Sequence, residues 1–189
     1  MKSTVKLTSE EIDRALLDVA AFVFARHGFA QGPVQAIADA AGYSKAAVLK
    51  RFGSKERIQT AVVARTEEHI TRVAAAADGL PVGPRRDAAL LNALVALIEE
   101  WPGTGALIVG AFWLTRDPEI LERLAQAQHT LLEAFDPQIW TDEERHVRVV
   151  SAIGAVTATM MANRDTPWTE RTDVVVAAGL GALGHASAI

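Results

Sequence analysis

The chain has 189 residues, half of them apolar, and a formal net charge of −4. That length allows one domain or two small ones with a substantial core. Cysteine is absent, which excludes disulfides and thiolate chemistry and is compatible with the cytoplasm. No apolar run is long and uncharged enough to span a membrane, and the N-terminus lacks the apolar stretch of a secretory signal. We therefore expect a cytoplasmic protein without a membrane segment.

The charge is unevenly distributed along the chain. Residues 1–55 hold eight lysines and arginines against five acidic residues, a net of +3, whereas residues 56–189 carry a net of −7. A basic N-terminal part on an acidic remainder is typical of a DNA-binding domain joined to a partner domain. This division predicts one domain at 1–55 and a second at 56–189.

The first predicted helix begins at Thr8 and ends at Gly28. Thr8 and Glu11 have the spacing of a capping box, in which each side chain accepts a hydrogen bond from the other residue's backbone N–H. Apolar residues then recur at helical intervals and give the helix one buried face: Ile12, Leu16, Val19 and Val23. We expect the next two helices to pack against this one.

Two short helices joined by a tight turn follow, from about Val34 to Phe52. Gly42 ends the first of them, because glycine adopts a positive φ at little cost. Ser44 caps the second through its hydroxyl. The apolar side of this second helix is predicted to bury Val48, Leu49 and Phe52. Two helices, a glycine turn and a basic second helix make a helix-turn-helix pattern, whose second helix enters the major groove of DNA.

These residues resemble the TetR family of transcriptional regulators. The resemblance covers roughly residues 9–60 and rests on Phe29 after His27-Gly28, Ile37-Ala38 with Ala41-Gly42, Ser44-Lys45, and Phe52-x-Ser54-Lys55-Glu56. It implies an all-α fold of about nine helices. An N-terminal three-helix helix-turn-helix domain would be followed by a C-terminal helical domain for ligand binding and dimerisation.

The resemblance also implies double-stranded DNA as a partner. A homodimer would place two recognition helices in successive major grooves of a roughly palindromic operator. The candidate DNA-binding residues are Gln35, Tyr43, Ser44, Lys45, Ala46, Ala47, Lys50, Arg51 and Lys55. Arginine can bind phosphate or read guanine. The alternative for each cation is a solvated surface charge.

Two positions depart from the family pattern. Pro33 stands where a hydroxyl residue usually caps the second helix, and Leu49 stands where a tyrosine usually reaches a phosphate. Neither side chain donates a hydrogen bond. Both changes are compatible with the fold and leave open whether DNA binding is weakened.

The rest of the chain reads as helices separated by short breaks. A helix from 54 to 77 connects the two domains, and Asp78 to Pro84 form a linker. Further helices are predicted from Pro84 to Trp101, through the apolar segment ALIVGAFWLT, from Asp117 to Phe135, from a Thr141–Glu144 capping box to Asn163, and from Thr166 to about Ala186.

The last helix contains a Gly-x-Gly-x-x-Gly match from Gly179 to Gly184. A dinucleotide fingerprint needs a further strand and an acidic residue about 20 positions on, and only five residues remain. Close helix packing is the better explanation of these glycines. By the resemblance, the last two helices form a homodimer interface; packing within one chain is the alternative.

The aromatic and methionine residues of the second domain are candidates for an effector pocket. If they converge, they form an apolar cavity with adaptable walls. The candidate ligand-binding residues are Trp101, Phe112, Trp113, His129, Thr157, Met160 and Met161. Ordinary core packing is the alternative. His129 and Glu133 have i,i+4 spacing but no third ligand nearby, so we predict an ion pair and no metal.

We therefore expect a ligand-responsive transcriptional regulator, a repressor that an apolar or amphipathic small molecule releases from its operator. No enzyme motif is present, and no cofactor is expected. Two alternatives remain open. One is a helical small-molecule carrier or protein-interaction module with a degenerate DNA-binding head, and the other is a metal- or cofactor-dependent helical enzyme.

Overall fold

The computed structural model describes residues 8–110, 117–162 and 172–185, which contain nine α-helices and no strand. The predicted all-α fold is confirmed. The helices are α1 (Ser9–His27), α2 (Val34–Ala41), α3 (Lys45–Phe52), α4 (Lys55–Ala75), α5 (Pro84–Glu100), α6 (Pro102–Gly110), α7 (Pro118–Phe135), α8 (Glu143–Ala162) and α9 (Thr172–Ala182). Within the described ranges, every helix is too short or too polar to cross a membrane.

Several helix ends are set by the local signals that the sequence shows. The hydroxyl of Thr8 accepts from the backbone N–H of Glu11, and the Glu11 side chain accepts from that of Thr8, so the predicted capping box is present. Gly42 closes α2 in the left-handed conformation, with φ 73°. Ser44 caps α3 by accepting from the N–H of Ala47 at 3.1 Å.

Other predicted boundaries are wrong. The cap of α8 is Asp142, whose carboxylate accepts from the N–H of Arg145 at 2.9 Å, whereas the Thr141 hydroxyl donates to the carbonyl of Gln138. Thr141 is drawn into the turn that precedes the helix, so it cannot serve as the cap. The helix α9 ends at Ala182, before the turn that holds Gly184 at φ 85°. The predicted starting point of this helix, Thr166, lies outside the described residues.

The buried side chains form two cores that meet along α4. The first core joins α1 to α3 with the first half of α4, where Ile58, Val62 and Val63 are buried. The second core joins the later helices with the second half of α4, where Ile70 and Val73 are buried. We call the part of the chain around the first core the head and the part around the second core the body. Leu107 of α6 and Leu124 of α7 also enter the core of the head, so head and body are packed together.

The head and the body are also joined by a helix cap. The residue before α6 is Trp101, which has no side-chain acceptor for the first N–H groups of that helix. Asp18 of α1 supplies the acceptor instead, and its carboxylate lies 2.9 Å from the N–H of Gly103. Only glycine fits there, because a Cβ on residue 103 would lie 1.9 Å from the Asp18 carbonyl oxygen.

Two titratable groups at this junction respond to burial in opposite ways. Desolvation raises the pKa of Asp18 to about 6, although the N–H groups of Gly103 and Thr104 oppose the rise. Desolvation lowers the pKa of His69 to about 4, helped by the nearby Arg65. The imidazole of His69 is fully buried, with Nδ1 at 2.9 Å from the Thr104 hydroxyl.

We predict that Asp18→Asn changes the pH dependence of stability. Between the unfolded pKa of 3.8 and the folded pKa of about 6, the folded wild type binds more protons at Asp18 than the unfolded chain does, so its stability falls as pH rises through that window. The variant lacks this dependence. Its unfolding free energy relative to wild type should therefore decrease on acidification from pH 7 to 4, by up to about 1.4 kcal/mol per pH unit.

Urea titrations of both proteins at half-unit pH steps measure this difference, and the contribution of His69 cancels because both proteins contain it. Asn92→Ala, a non-titrating exposed change on α5, provides the baseline. A difference between Asp18→Asn and wild type that stays constant from pH 7 to 4 would contradict the prediction.

Candidate nucleic-acid interface

The helix α3 presents nearly all of its surface to solvent. Of its eight residues only Val48 is buried, and Leu49 and Phe52, both predicted to be buried, are partly buried against the core of the head. Eight of the nine candidate DNA-binding residues are exposed: Gln35, Tyr43, Ser44, Lys45, Ala46, Ala47, Lys50 and Arg51. Apart from Lys55, the predicted contacts on α2, on α3 and in the turn between them are therefore open to solvent.

Contacts between residues close in sequence fix the geometry of α2, α3 and the turns around them. The Gln35 amide donates to the Asp39 carboxylate at 2.6 Å along α2. Glycines with positive φ stand on both sides of α3, Gly42 at 73° and Gly53 at 90°, and each ends a helix while turning the chain. Because both turns are anchored by serine caps, at Ser44 and Ser54, the orientation of α3 is fixed relative to α2 and α4.

Arg51 is engaged within the head. Its Nε forms an ion pair with the Asp13 carboxylate, and its Nη2 donates to the carbonyl and the hydroxyl of Ser9 at 2.5 and 2.6 Å. These contacts tie α3 to the first turns of α1. Among the predicted DNA contacts, the positive charge of Arg51 is thus already partly neutralised.

Lys55 also has an internal role. Its Nζ donates to the carbonyl of Ala30 at 2.6 Å, and the nearby Gln59 amide donates to the carbonyl of Phe29 at 2.6 Å. Both bonds fasten the α1–α2 loop to the start of α4. Lys45 and Lys50 are the other two cations of α3, and both are exposed.

The two departures from the family pattern both serve the fold. Pro33 occupies the N-cap of α2 and gives no side-chain cap, while its carbonyl accepts from the N–H groups of Ala36 and Ile37 at 3.0 and 3.3 Å. Leu49 packs against the core of the head. Both residues thus contribute to the structure of the head, but neither supplies a hydrogen-bond donor for a phosphate.

The candidate effector residues within the described part of the chain lie in different surroundings. Thr157 donates its hydroxyl to the carbonyl of Ile153, and Met160 lies in the core of the body with Met161 at its edge. His129 lies at the surface, 3.3 Å from the Glu133 carboxylate and stacked on Trp140. Trp101 packs beside Arg65 and His69 at the junction of head and body. Phe112 and Trp113 lie outside the described residues.

The described part of the body has a small apolar cavity between α4, α6 and α7. Its volume is about 30 Å³, and Gln128 and Thr66 are the polar residues in a wall that includes Ile70, Leu107 and Leu131. Sites for small organic ligands usually occupy roughly 300–1,000 Å³. An effector bound in this cavity would have to enlarge it by moving the surrounding helices.

The helices α8 and α9 leave an apolar face uncovered. Val147 and Val150 of α8 are 59% and 43% exposed, and Val174 of α9 is 68% exposed. Small residues continue this face: Gly154, Ala155 and Ala158 on α8, and Ala177, Ala178 and Gly181 on α9. Gly179 faces the other way, because a Cβ there would lie within 3.0 Å of Leu91 and Val156.

The fold and this surface define a helix-turn-helix DNA-binding protein with a helical body. Residues 16–62 match the family model described as bacterial regulatory proteins, tetR family. This match shows that the N-terminal domain is a DNA-binding domain of the TetR type. The chain is therefore a DNA-binding transcriptional regulator.

Solved structures with this fold extend the likeness to the body. A TetR-like transcriptional regulator from Rhodococcus sp. RHA1 is 17% identical over 96% of this chain and 100% of its own, with a TM-score of 0.61. FadR from Bacillus subtilis, in complex with stearoyl-CoA, is 16% identical over 89% and 96%, with a TM-score of 0.58. AmtR from Mycobacterium smegmatis is 22% identical over 98% and 90%, with a TM-score of 0.55. No curated protein sequence matches significantly.

We predict that Asp13→Asn strengthens DNA binding by releasing Arg51. The freed guanidinium becomes available to a phosphate, so affinity at about 0.1 M salt should rise several-fold and the slope of log affinity against log salt should steepen by about one. Fluorescence anisotropy of a labelled duplex over a salt series measures both quantities.

Glu10→Gln is the matched control, because Glu10 is an exposed acid on the same helix that pairs with Arg14 instead. It removes one negative charge whose partner, Arg14, is not a predicted DNA contact. An equal gain in both variants, or a gain that persists in Asp13→Asn combined with Arg51→Ala, would show that Arg51 is not the group released.

Proposed function

We propose that this regulator binds a two-fold-symmetric operator as a homodimer and is a repressor that a small-molecule effector releases. The observation that carries the proposal is the exposed, basic face of α3 on a head whose turns are fixed by glycines and caps. A dimer doubles the cations of that face, which offsets the few that each head supplies. With this function we place the protein in the cytoplasm.

The uncovered face of α8 and α9 supports a second copy of this chain as the dimer partner. Two neighbouring helices whose uncovered face carries valines and small residues can pack closely against a symmetry-related pair. An apolar face of this kind is costly to leave in water. The four helices α8 and α9 and their symmetry mates would form the interface.

The path from effector to DNA is proposed to run through α4. Thr66 and Ile70 of this helix line the small cavity, while Ile58 and Val62 of the same helix are buried in the head. An effector that enlarges the cavity would displace α4, and a helix transmits that displacement to the head. The effector would bind most tightly when the spacing of the two heads mismatches the operator, which lowers DNA affinity by population shift.

The lining of the cavity supports an apolar or amphipathic effector. Leu107, Leu124 and Leu131 surround the few polar groups at its edge. The structural neighbour FadR from Bacillus subtilis was determined with stearoyl-CoA, an amphipathic molecule. We propose the same general class of ligand here, without assigning its identity.

A helical carrier with a degenerate head remains the second candidate. Its support is that Arg51 and Lys55 are both engaged inside the head, and that Pro33 and Leu49 provide no phosphate donor. In that case the exposed Lys45 and Lys50 would be ordinary surface charges.

A selection from random duplexes distinguishes the two functions. We expect wild-type protein to enrich an inverted repeat, and Lys50→Ala to bind that repeat more weakly by about 1 kcal/mol or more with a salt slope reduced by about one per head. Arg85→Gln, an exposed charge change on α5, should bind as the wild type does. Failure to enrich any sequence would favour the carrier.

The dimer interface is tested by placing a charge within it. Ala158→Glu on α8 should convert the dimer to a monomer in analytical ultracentrifugation, because a buried unpaired carboxylate is strongly unfavourable in an apolar interface. The monomer should lose cooperative binding to the inverted repeat. Ala125→Glu, on the exposed side of α7, should remain dimeric. A dimer that survives Ala158→Glu would place the interface elsewhere.

A further inference from the structure

Polar side chains at the junction of α1, α4 and α6 contain hydrogen-bonding atoms without partners. We call this set the junction cluster: Asp18, Arg65, His69, Trp101 and Thr104. The Arg65 guanidinium carbon lies 4.4 Å from a Trp101 ring centroid, and the His69 and Trp101 ring centroids are 5.4 Å apart. Within the described residues, three buried nitrogens there have no hydrogen-bond partner: Arg65 Nε, His69 Nε2 and Trp101 Nε1.

These three nitrogens share one chemical property. Arginine Nε and tryptophan Nε1 carry hydrogen and can only donate. In the neutral His69 tautomer that carries its hydrogen on Nε2, Nε2 also donates, and Nδ1 accepts a hydrogen bond from the Thr104 hydroxyl, 2.9 Å away. A buried donor without an acceptor loses its hydration and gains nothing in return. Three donors beside the positive charge of Arg65 therefore favour a negatively charged acceptor.

A groove between α4 and α5 reaches the junction cluster at His69. It has a volume of about 190 Å³, and the buried His69 forms part of its wall. Val73 and Leu97 make the wall largely apolar, while Arg72 and Glu100 stand at exposed positions along it. The groove is thus several times larger than the apolar cavity of about 30 Å³ and is charged only at its rim.

We propose that the groove and the junction cluster form a binding site for a small carboxylate, whose oxygens accept hydrogen bonds from Arg65, His69 and Trp101 while its short aliphatic part lies against Val73 and Leu97. A single negative charge suits the site better than a dianion. Asp18 lies in the junction cluster and Glu100 in the wall of the groove, so both would repel a dianion more strongly than a monoanion.

The position of the site gives it a route to the head. Asp18 is attracted to Arg65 and at the same time caps α6 through Gly103. A bound carboxylate would compete with Asp18 for the charge of Arg65 and alter the docking of α1 on α6. Binding itself is independent of DNA, and only its effect on operator affinity rests on the proposed function.

The test uses the indole N–H of Trp101 as a reporter. In ¹H–¹⁵N spectra of the full chain, peaks assigned with Trp101→Phe and Trp140→Phe are followed during titration with sodium butyrate. We expect a saturable downfield shift at Trp101 and a smaller response at Trp140, whose Nε1 already donates to Glu133. Butyramide, which has the same shape without the charge, should give no saturable shift.

Variants connect the shift with the cluster. Arg65→Met keeps a long side chain over Trp101 but removes Nε and the charge, and it should weaken butyrate binding at least tenfold. Arg85→Gln should leave it unchanged. Circular dichroism verifies the fold; if Arg65→Met does not fold, Arg65→Lys keeps the charge, lacks the Nε donor and should also weaken binding.

The remaining outcomes contradict the proposal. If butyrate gives no saturable shift, or if the shift is undiminished in Arg65→Met, the proposed carboxylate site is wrong. The three donors would then be satisfied by bound water. An equal response to sodium chloride would show a general anion site and overturn the carboxylate assignment. Because no DNA is present, none of these results depends on the operator selection.

Discussion

The carboxylate of Asp18 closes the N-terminus of a helix to which it does not belong. The first N–H groups of any α-helix lack partners within that helix, and a nearby residue usually supplies the acceptor. In α6 the preceding residue is Trp101, so α1 supplies it from the head. Head and body are thereby joined through a cap as well as through packing. The close approach requires a glycine at position 103 and places Asp18 where desolvation raises its pKa.

The consequences of that cap extend along α4. This helix has buried side chains in both cores, Ile58 and Val62 in the head and Ile70 and Val73 in the body. Each such side chain stabilises the fold by roughly 1.5–3 kcal/mol when removed from water. Neither end of α4 can therefore move without repacking a core. The Asp18 cap and α4 together make the head and the body respond to each other.

Features encoded within a few residues could be predicted from the sequence. The capping box at Thr8, the left-handed Gly42 and the cap at Ser44 each depend on neighbours three or four positions away. The capping residue of α8 could not be predicted from such local signals. Thr141 and Asp142 are adjacent and both can cap a helix, and the hydrogen bond of Thr141 in the preceding turn leaves Asp142 as the cap.

Side-chain partners that are distant in sequence could not be predicted. Arg51 was expected to face DNA, and its partners Asp13 and Ser9 lie 38 and 42 positions earlier. The composition of the second domain indicates which residues are apolar or aromatic but not which helix each of them meets. Trp101 meets Arg65 and His69 of α4, whereas His129 meets Trp140 at the surface.

The engagement of Arg51 has a consequence for how the head binds phosphate. A guanidinium that already bonds to Asp13 and Ser9 must exchange those partners for phosphate oxygens, whereas Lys50 exchanges only water. The ion pair between Arg51 and Asp13 is partly exposed, so it contributes at most about 1 kcal/mol to stability. The multiple charges of a duplex can outweigh a contact of that strength. Arg51 can therefore hold α3 against α1 in the free protein and still be available when DNA approaches.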